Sequence, residues 1–221
     1  MSQIKAVIFD MDGLMFDTEP IYYKANQKTA DHLGMDFSFD IYAQFIGMGD
    51  VDYKKTMRKL YKDHEVLEEF FDKSNQVMEY LLLNEQVNLK PGLIELLDYL
   101  HKEQMPAVVA SSTKRELVDQ LLERLEVKDY FQGIVGGDEV ERAKPDPAIF
   151  NKAFNKTELP DKSSVLILED SKNGVLAANA AGIPVIMVPD LIEADKETKD
   201  KTQRVYSSLT QVMGHIEKMN H

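Results

Sequence analysis

Lys5-Ala-Val-Ile-Phe-Asp10-Met-Asp12-Gly13-Leu-Met-Phe-Asp-Thr18 is the stretch on which the reading of this chain turns. Ile4 to Phe9 is a short, nearly all-apolar run, rich in β-branched residues. Such a run predicts a strand buried on both faces of a parallel sheet. It stops at Asp10, a second acid follows at Asp12, and Gly13 lets the chain turn. In open α/β sheets ligands bind beyond the carboxyl ends of the strands, where these two carboxylates stand. Leaving them buried and unpaired would cost several kcal/mol per ion, on the order of the usual desolvation penalty, so a cation is expected beside them. A strand end with solvated turn acids is the alternative reading of Asp-x-Asp-Gly taken alone.

Working outward, no further strand is expected before residue 87. Residues 18–86 read as helices: Pro20 to Leu33, Ser38 to Phe45, a stripe of Tyr53, Met57, Leu60 and Tyr61, and a longer stripe through Leu67, Phe70, Phe71, Met78, Leu81 and Leu82. Four amphipathic helices can bury one another as a small bundle. The segment is far longer than a strand-to-strand crossover requires, so it is expected to be an inserted second domain. From Pro91 a strand–helix alternation resumes. Strands are expected at Ala107–Ala110, Ile134–Val135, Val165–Leu168, Pro184–Val188 and Val205–Tyr206, with helices between them and a last one through Leu209, Val212, Met213 and Ile216. Thr113-x-x-Glu116 reads as a capping box. The whole predicts an α/β fold, a doubly wound parallel sheet formed by 1–17 and 87–221, with a helical cap at 18–86.

Bulk properties narrow the function. Of 221 residues, 43% are hydrophobic and 29% charged, as in a globular protein with a sizeable core. The formal net charge of −12 disfavours nucleic acid and anionic membrane surfaces as partners. The chain lacks cysteine, which excludes disulfides, thiolate metal sites and cysteine nucleophiles. Neither a leader segment nor an apolar run of roughly 18 residues is visible, and the expected location is the cytoplasm.

Four strand ends carry the chemistry: Asp10 and Asp12, then Ser111-Ser112, then the segment leading to Lys144, then Glu169-Asp170. In this order the segments Asp10-Met-Asp-Gly13, Ser111, Lys144-Pro-Asp-Pro147 and Leu168-Glu-Asp-Ser-Lys-Asn-Gly174 resemble the haloacid dehalogenase superfamily, and within it the phosphatase and β-phosphoglucomutase-like branch. The resemblance spans the whole chain and implies a Rossmann-like core with a helical cap. It also implies phosphotransfer through an aspartyl-phosphate, with Mg²⁺ as cofactor and a small phosphorylated metabolite as substrate.

The residues argue the same chemistry. Phosphoryl transfer needs positioning and charge neutralisation above all. Asp10 is the expected nucleophile, splitting one hard displacement into two. Asp12 is the expected general acid and base, or else a metal ligand through its side chain or backbone; the resemblance implies that its backbone carbonyl binds the metal. Asp10, Asp12, Glu169 and Asp170 form the expected metal set, a sparse oxygen site of the kind Mg²⁺ prefers. A helix N-terminal acid pair is the plainer reading of Glu169-Asp170 by itself. Four carboxylates with one Mg²⁺ and Lys144 remain net negative, so a phosphate dianion is best accommodated with Asp12 protonated. Lys144, stiffened by Pro145 and Pro147, is expected to serve as a fixed positive charge for nucleophile and phosphate. Ser111 and Ser112, at the start of the helix capped by Thr113, are expected to seat the phosphate.

Hydrolysis is expected rather than a β-phosphoglucomutase-type reaction. The resemblance implies that the mutases carry a histidine in the first cap helix, where Tyr22 stands, and an arginine in the cap loop. Phe45 to Asp52 contains neither Arg nor Lys, although Lys54, Lys55 and Arg58 follow. Gly47-Met-Gly49 could let a cap loop move, or could be an ordinary turn. A non-catalytic phosphate-binding protein is the reading from a different class, and the sequence leaves the oligomeric state open.

Overall fold

The structure, a computed structural model, describes residues 3–220. The chain divides into two compact units, Met1–Asp17 with Leu89–His221, and Thr18–Asn88.

The first unit is built on β1 (Ala6–Phe9), every residue of which is buried. Around it stand β4 (Ala107–Ala110), β5 (Gly133–Val135), β6 (Val165–Glu169), β7 (Val185–Met187) and β8 (Arg204–Val205), in the order β5-β4-β1-β6-β7-β8. The pairs are parallel throughout. The chain leaves β1 for one side of the sheet, then crosses back to the other, so the switch point lies at β1 itself. Alternation along β1 sends Ala6 and Ile8 to one face, where they join Ile149, Phe150 and Ala153 of α7 (Ala148–Lys156) and Val175, Ala178 and Ala181 of α8 (Lys172–Ala181). Helix α5 (Leu93–Lys102) buries Leu93, Leu96, Leu97 and Leu100 and packs on α10 (Leu209–Asn220). Helices α6 (Arg115–Arg124) and α9 (Lys196–Asp200) complete the unit.

Register decides what meets at the sheet edge. Phe9 is level with both Val109 and Leu168, and the Asp10 N–H donates to the Leu168 carbonyl at 3.0 Å. The residues that follow, Asp10, Ser111 and Asp170, therefore emerge along one rim.

The second unit holds α1 (Glu19–Leu33), α2 (Phe39–Tyr42), α3 (Asp50–Leu60) and α4 (His64–Asn84). Its core is aromatic: Phe37, Tyr42, Phe45, Phe70 and Phe71 gather with Ala30, Met57 and Leu67. Ser38 and Asp63 cap α2 and α4 by accepting from Ile41 N and Val66 N.

Two local expectations are corrected. Leu60 does not join the buried stripe: it is 49% exposed. Tyr61 has left the helix, its hydroxyl donating to the Asp36 carbonyl. Two short strands, β2 (Phe16–Asp17) and β3 (Asn88–Leu89), were not expected. At two residues each they carry no periodic signal to read.

Candidate active site

Lys144 is the hub of the site. Its ammonium donates to Asp10 Oδ1 at 2.5 Å, Glu169 Oε1 at 2.6 Å and the Ala110 carbonyl at 3.3 Å. A lysine has three donors, and all three are placed on protein oxygen. The ring of Phe150 lies 4.8 Å from the same nitrogen. The Lys144 side chain is 6% exposed and those of Asp10 and Glu169 are 9% and 1% exposed. Burial works against the ammonium charge, but Asp10 and Glu169 outweigh it and hold Lys144 above the ordinary lysine range.

The two carboxylates of this triad differ in what else they do. Glu169 is fully engaged, because its Oε2 accepts from the backbone N–H and the hydroxyl of Ser171, both at 2.9 Å. The close turn is possible because residue 174 is glycine: a Cβ there would stand 1.8 Å from the Glu169 carboxyl carbon. Ser171 in turn caps α8 by accepting from Gly174 N. Glu169, expected among the metal ligands, thus has both oxygens committed to Lys144 and Ser171.

Asp10 sits at the end of β1, and burial, resisted by Lys144 and reinforced by Glu169 and Asp12, pushes its carboxyl up to about 8. Asp170 is likewise driven well above the usual carboxylate range, by burial first and then by Glu169 and Asp10. Burial, with like charge added to it, disfavours the ionised form of both acids. Their oxygens, with no sulfur or imidazole among them, suit a hard divalent cation. Asp10 and Asp170 are the side chains that could hold one. Among the described residues no three His, Cys, Asp or Glu side chains gather as a group that could hold a metal ion.

Asp12 lies on the turn after β1, where Gly13 adopts φ +80° and donates to the Phe16 carbonyl at 2.9 Å. Its Oδ2 accepts from the hydroxyls of Thr113 at 2.9 Å and Ser111 at 3.2 Å. The expected capping box at Thr113 is therefore absent. Helix α6 begins at Arg115 with Lys114 as its cap residue, and the Arg115 N–H is taken by Asp138 Oδ1 at 2.7 Å. The Thr113 hydroxyl donates to the Asp12 carboxylate, while the helix's first N–H donates to Asp138 from another loop. Ser111 is buried at the end of β4 and Ser112 is exposed beside it.

One acid was missed. Asp190 follows β7 and accepts from Lys90 Nζ at 2.5 Å. The signal was available: Pro189-Asp190 ends an apolar strand as Glu169-Asp170 does.

A doubly wound sheet with a lysine-clasped aspartate and a second, hydroxyl-held aspartate after β1, and a third aspartate after β6, is an α/β arrangement suited to phosphoryl transfer. Residues 7–188 match the family model of the haloacid dehalogenase-like hydrolases, and the chain belongs to that family. It is 32% identical over 81% of its length to the phosphorylated carbohydrates phosphatase of Thermotoga maritima, covering 82% of that protein. It is 34% identical over 92% of its length to a probable pseudouridine-5'-phosphatase of Drosophila melanogaster, covering 89% of it. A crystal structure of a candidate beta-phosphoglucomutase from Thermotoga maritima superposes with a TM-score of 0.80 at 26% identity, over 97% of this chain and 99% of that one. Within the family this chain is a phosphoric monoester hydrolase. Among the described residues no helix is long and apolar enough to cross a membrane.

Proposed function

We propose that the protein is a Mg²⁺-dependent phosphatase that hydrolyses a small phosphorylated metabolite, a sugar phosphate or similar, through an aspartyl-phosphate on Asp10. The observation that carries this reading is the clasp of Lys144 on Asp10 and Glu169 at the end of β1. It holds one buried carboxylate in a fixed orientation at the switch point, as in-line attack on phosphorus requires.

In the first half-reaction an Asp10 carboxylate oxygen bonds to phosphorus while the bond from phosphorus to the ester oxygen breaks. Asp12 gives its proton to the departing alcohol. In the second, Asp12 takes a proton from water as that water bonds to phosphorus, and the acyl-phosphate bond breaks to release phosphate and free Asp10. The hydroxyls of Ser111 and Thr113 keep Asp12 aimed between the two steps. Lys144 lowers the charge opposing an incoming phosphate dianion, and Ser111 and Ser112 lie where that phosphate would be seated. Mg²⁺, when held by Asp10, Asp170 and the Asp12 backbone carbonyl, would supply further neutralisation of the phosphate oxygens.

The names of the relatives support a phosphorylated sugar or nucleoside as the substrate class. Tyr22 in α1 and the absence of Arg and Lys across Phe45 to Asp52 favour hydrolysis over a mutase reaction, which must retain a second phosphate. Nucleic acid and membranes have no part in this reading, and the cytoplasm is its location.

The test is a panel of sugar, nucleoside and polyol phosphates scored for phosphate release with and without Mg²⁺. Mg²⁺-dependent release lost in Asp10→Asn supports the proposal. Isomerisation of a sugar 1-phosphate primed by a bisphosphate, with little free phosphate, would replace it by the mutase reading.

A further inference from the structure

Asp190 has a loose end. Its side chain is 8% exposed, Oδ1 is held by Lys90, and Oδ2 is buried without a hydrogen-bond partner. An unsatisfied buried carboxylate oxygen is costly enough to call for a reason. Its position supplies one. A Cβ placed on Gly13 would lie 2.4 Å from Asp170 Oδ2 and 3.2 Å from Asp190 Oδ2. Both oxygens therefore lie close to one point beside the turn that carries Asp12. Lys90 holds Oδ1 and so orients the carboxylate, and the unpartnered Oδ2 lies on the side of Asp170.

We propose that Asp190 is a positioning residue for the cation: its Oδ2 accepts a hydrogen bond from a water held by the metal on the Asp170 side, and Lys90 aims it. This rests on the Mg²⁺-dependent reading of the site. Outer-sphere acceptors of this kind fix the orientation of the metal's own ligands, and their loss typically costs about 10–100-fold in metal affinity. Mg²⁺ suits the arrangement because it keeps several waters and takes few carboxylates directly. Nothing in the local sequence around Asp170 points to Asp190; the β6–β7 pairing, with Glu169 level with Met187, brings the ends of the two strands together.

The experiment is calorimetric titration of the full chain with Mg²⁺, without substrate, for wild type and Asp190→Asn. In the variant Lys90 demands the amide oxygen, which turns the amide N–H₂, a donor, toward the cation's water. The expected result is Mg²⁺ affinity at least about tenfold weaker, with the metal-free melting temperature lowered no more than in Lys90→Met. Affinity within twofold of wild type would overturn the inference and leave Asp190 a partner for Lys90 only. If Asp190→Asn does not fold, the double variant Lys90→Met/Asp190→Asn, which leaves no orphaned lysine, is read by the same two outcomes. Wild-type protein that binds no Mg²⁺ would instead remove the Mg²⁺-dependent reading itself, and the two failures are thus distinct.

Discussion

Replacing Lys144 by Met tests the architecture of the site most directly. The substitution keeps the length of the stem and its contact with Phe150 but removes the one cation between Asp10 and Glu169. Taking one partner from a buried ion pair costs about 3–5 kcal/mol, because the other charge stays buried. Here a single ammonium serves two carboxylates, so the upper part of that range applies, and the expected fall in melting temperature is roughly 8–20 °C. The loss must depend on pH. Asp10, pushed up to about 8, holds a proton in the fold that it gives up in the unfolded chain, so its contribution to stability declines as pH rises from about 4 toward 8. Without Lys144 the Asp10 charge is relieved only by protonation, and the penalty is smaller at pH 5 than at pH 8. Thermal and urea unfolding of metal-free protein at the two pH values measure it. The double variant Lys144→Met/Glu169→Gln should recover part of the loss, since the glutamine oxygen can still accept from Ser171 while the orphaned charge is gone. Phosphate release should stay abolished in both. A single variant within about 1 kcal/mol of wild type at pH 8, or a double variant no more stable than the single, would refute the claim that this lysine neutralises two buried acids.

Three further outcomes are expected. Asp10→Asn should cut phosphate release by at least about a thousandfold while the protein melts as cooperatively as wild type, measured by a coupled phosphate assay and calorimetry. Gly174→Ala would drive a Cβ against the Glu169 carboxyl. It should destabilise the first unit by about 1–3 kcal/mol and lower kcat by loosening Lys144, as seen in denaturant unfolding and steady-state rates. Stabilisation by Mg²⁺ should be greater at pH 8 than at pH 5: Asp10 and Asp170 are both raised, so at low pH a cation must displace protons to bind. A thermal-shift series at fixed Mg²⁺ would show this, and a larger shift at pH 5 would contradict it.

Much of the fold could be read from residue order because burial on both faces leaves strands with no polar alternation. Val165–Leu168 and Ala107–Ala110 are recognisable as apolar runs however the chain folds. The acids behind them were legible for the same reason: an ionisable residue that stops such a run must leave the core at a strand end. What a residue does there was less legible. Thr113 and Glu116 have the spacing of a capping box, and nothing local says that Asp138 takes the helix end and Asp12 takes the threonine. Glu169 and Asp170 are adjacent and chemically alike, yet one faces Lys144 and Ser171 and the other lies beside Gly13.

The linear chain by itself determined the parallel α/β architecture, the helical insertion and the identity of the acids and lysine at the sheet edge. These follow from hydrophobic periodicity and from the cost of burying charge, both of which act on neighbours in sequence. Only the tertiary structure decided the pairing. Strand register set Phe9 level with Leu168 and so placed Asp10 at the rim, folding brought Lys144 across to it, and Lys90 met Asp190 a hundred residues away. Coulomb attraction and hydrogen bonding act over a few ångströms of space without regard to sequence separation, so partners of this kind become definite only when the chain has closed on itself.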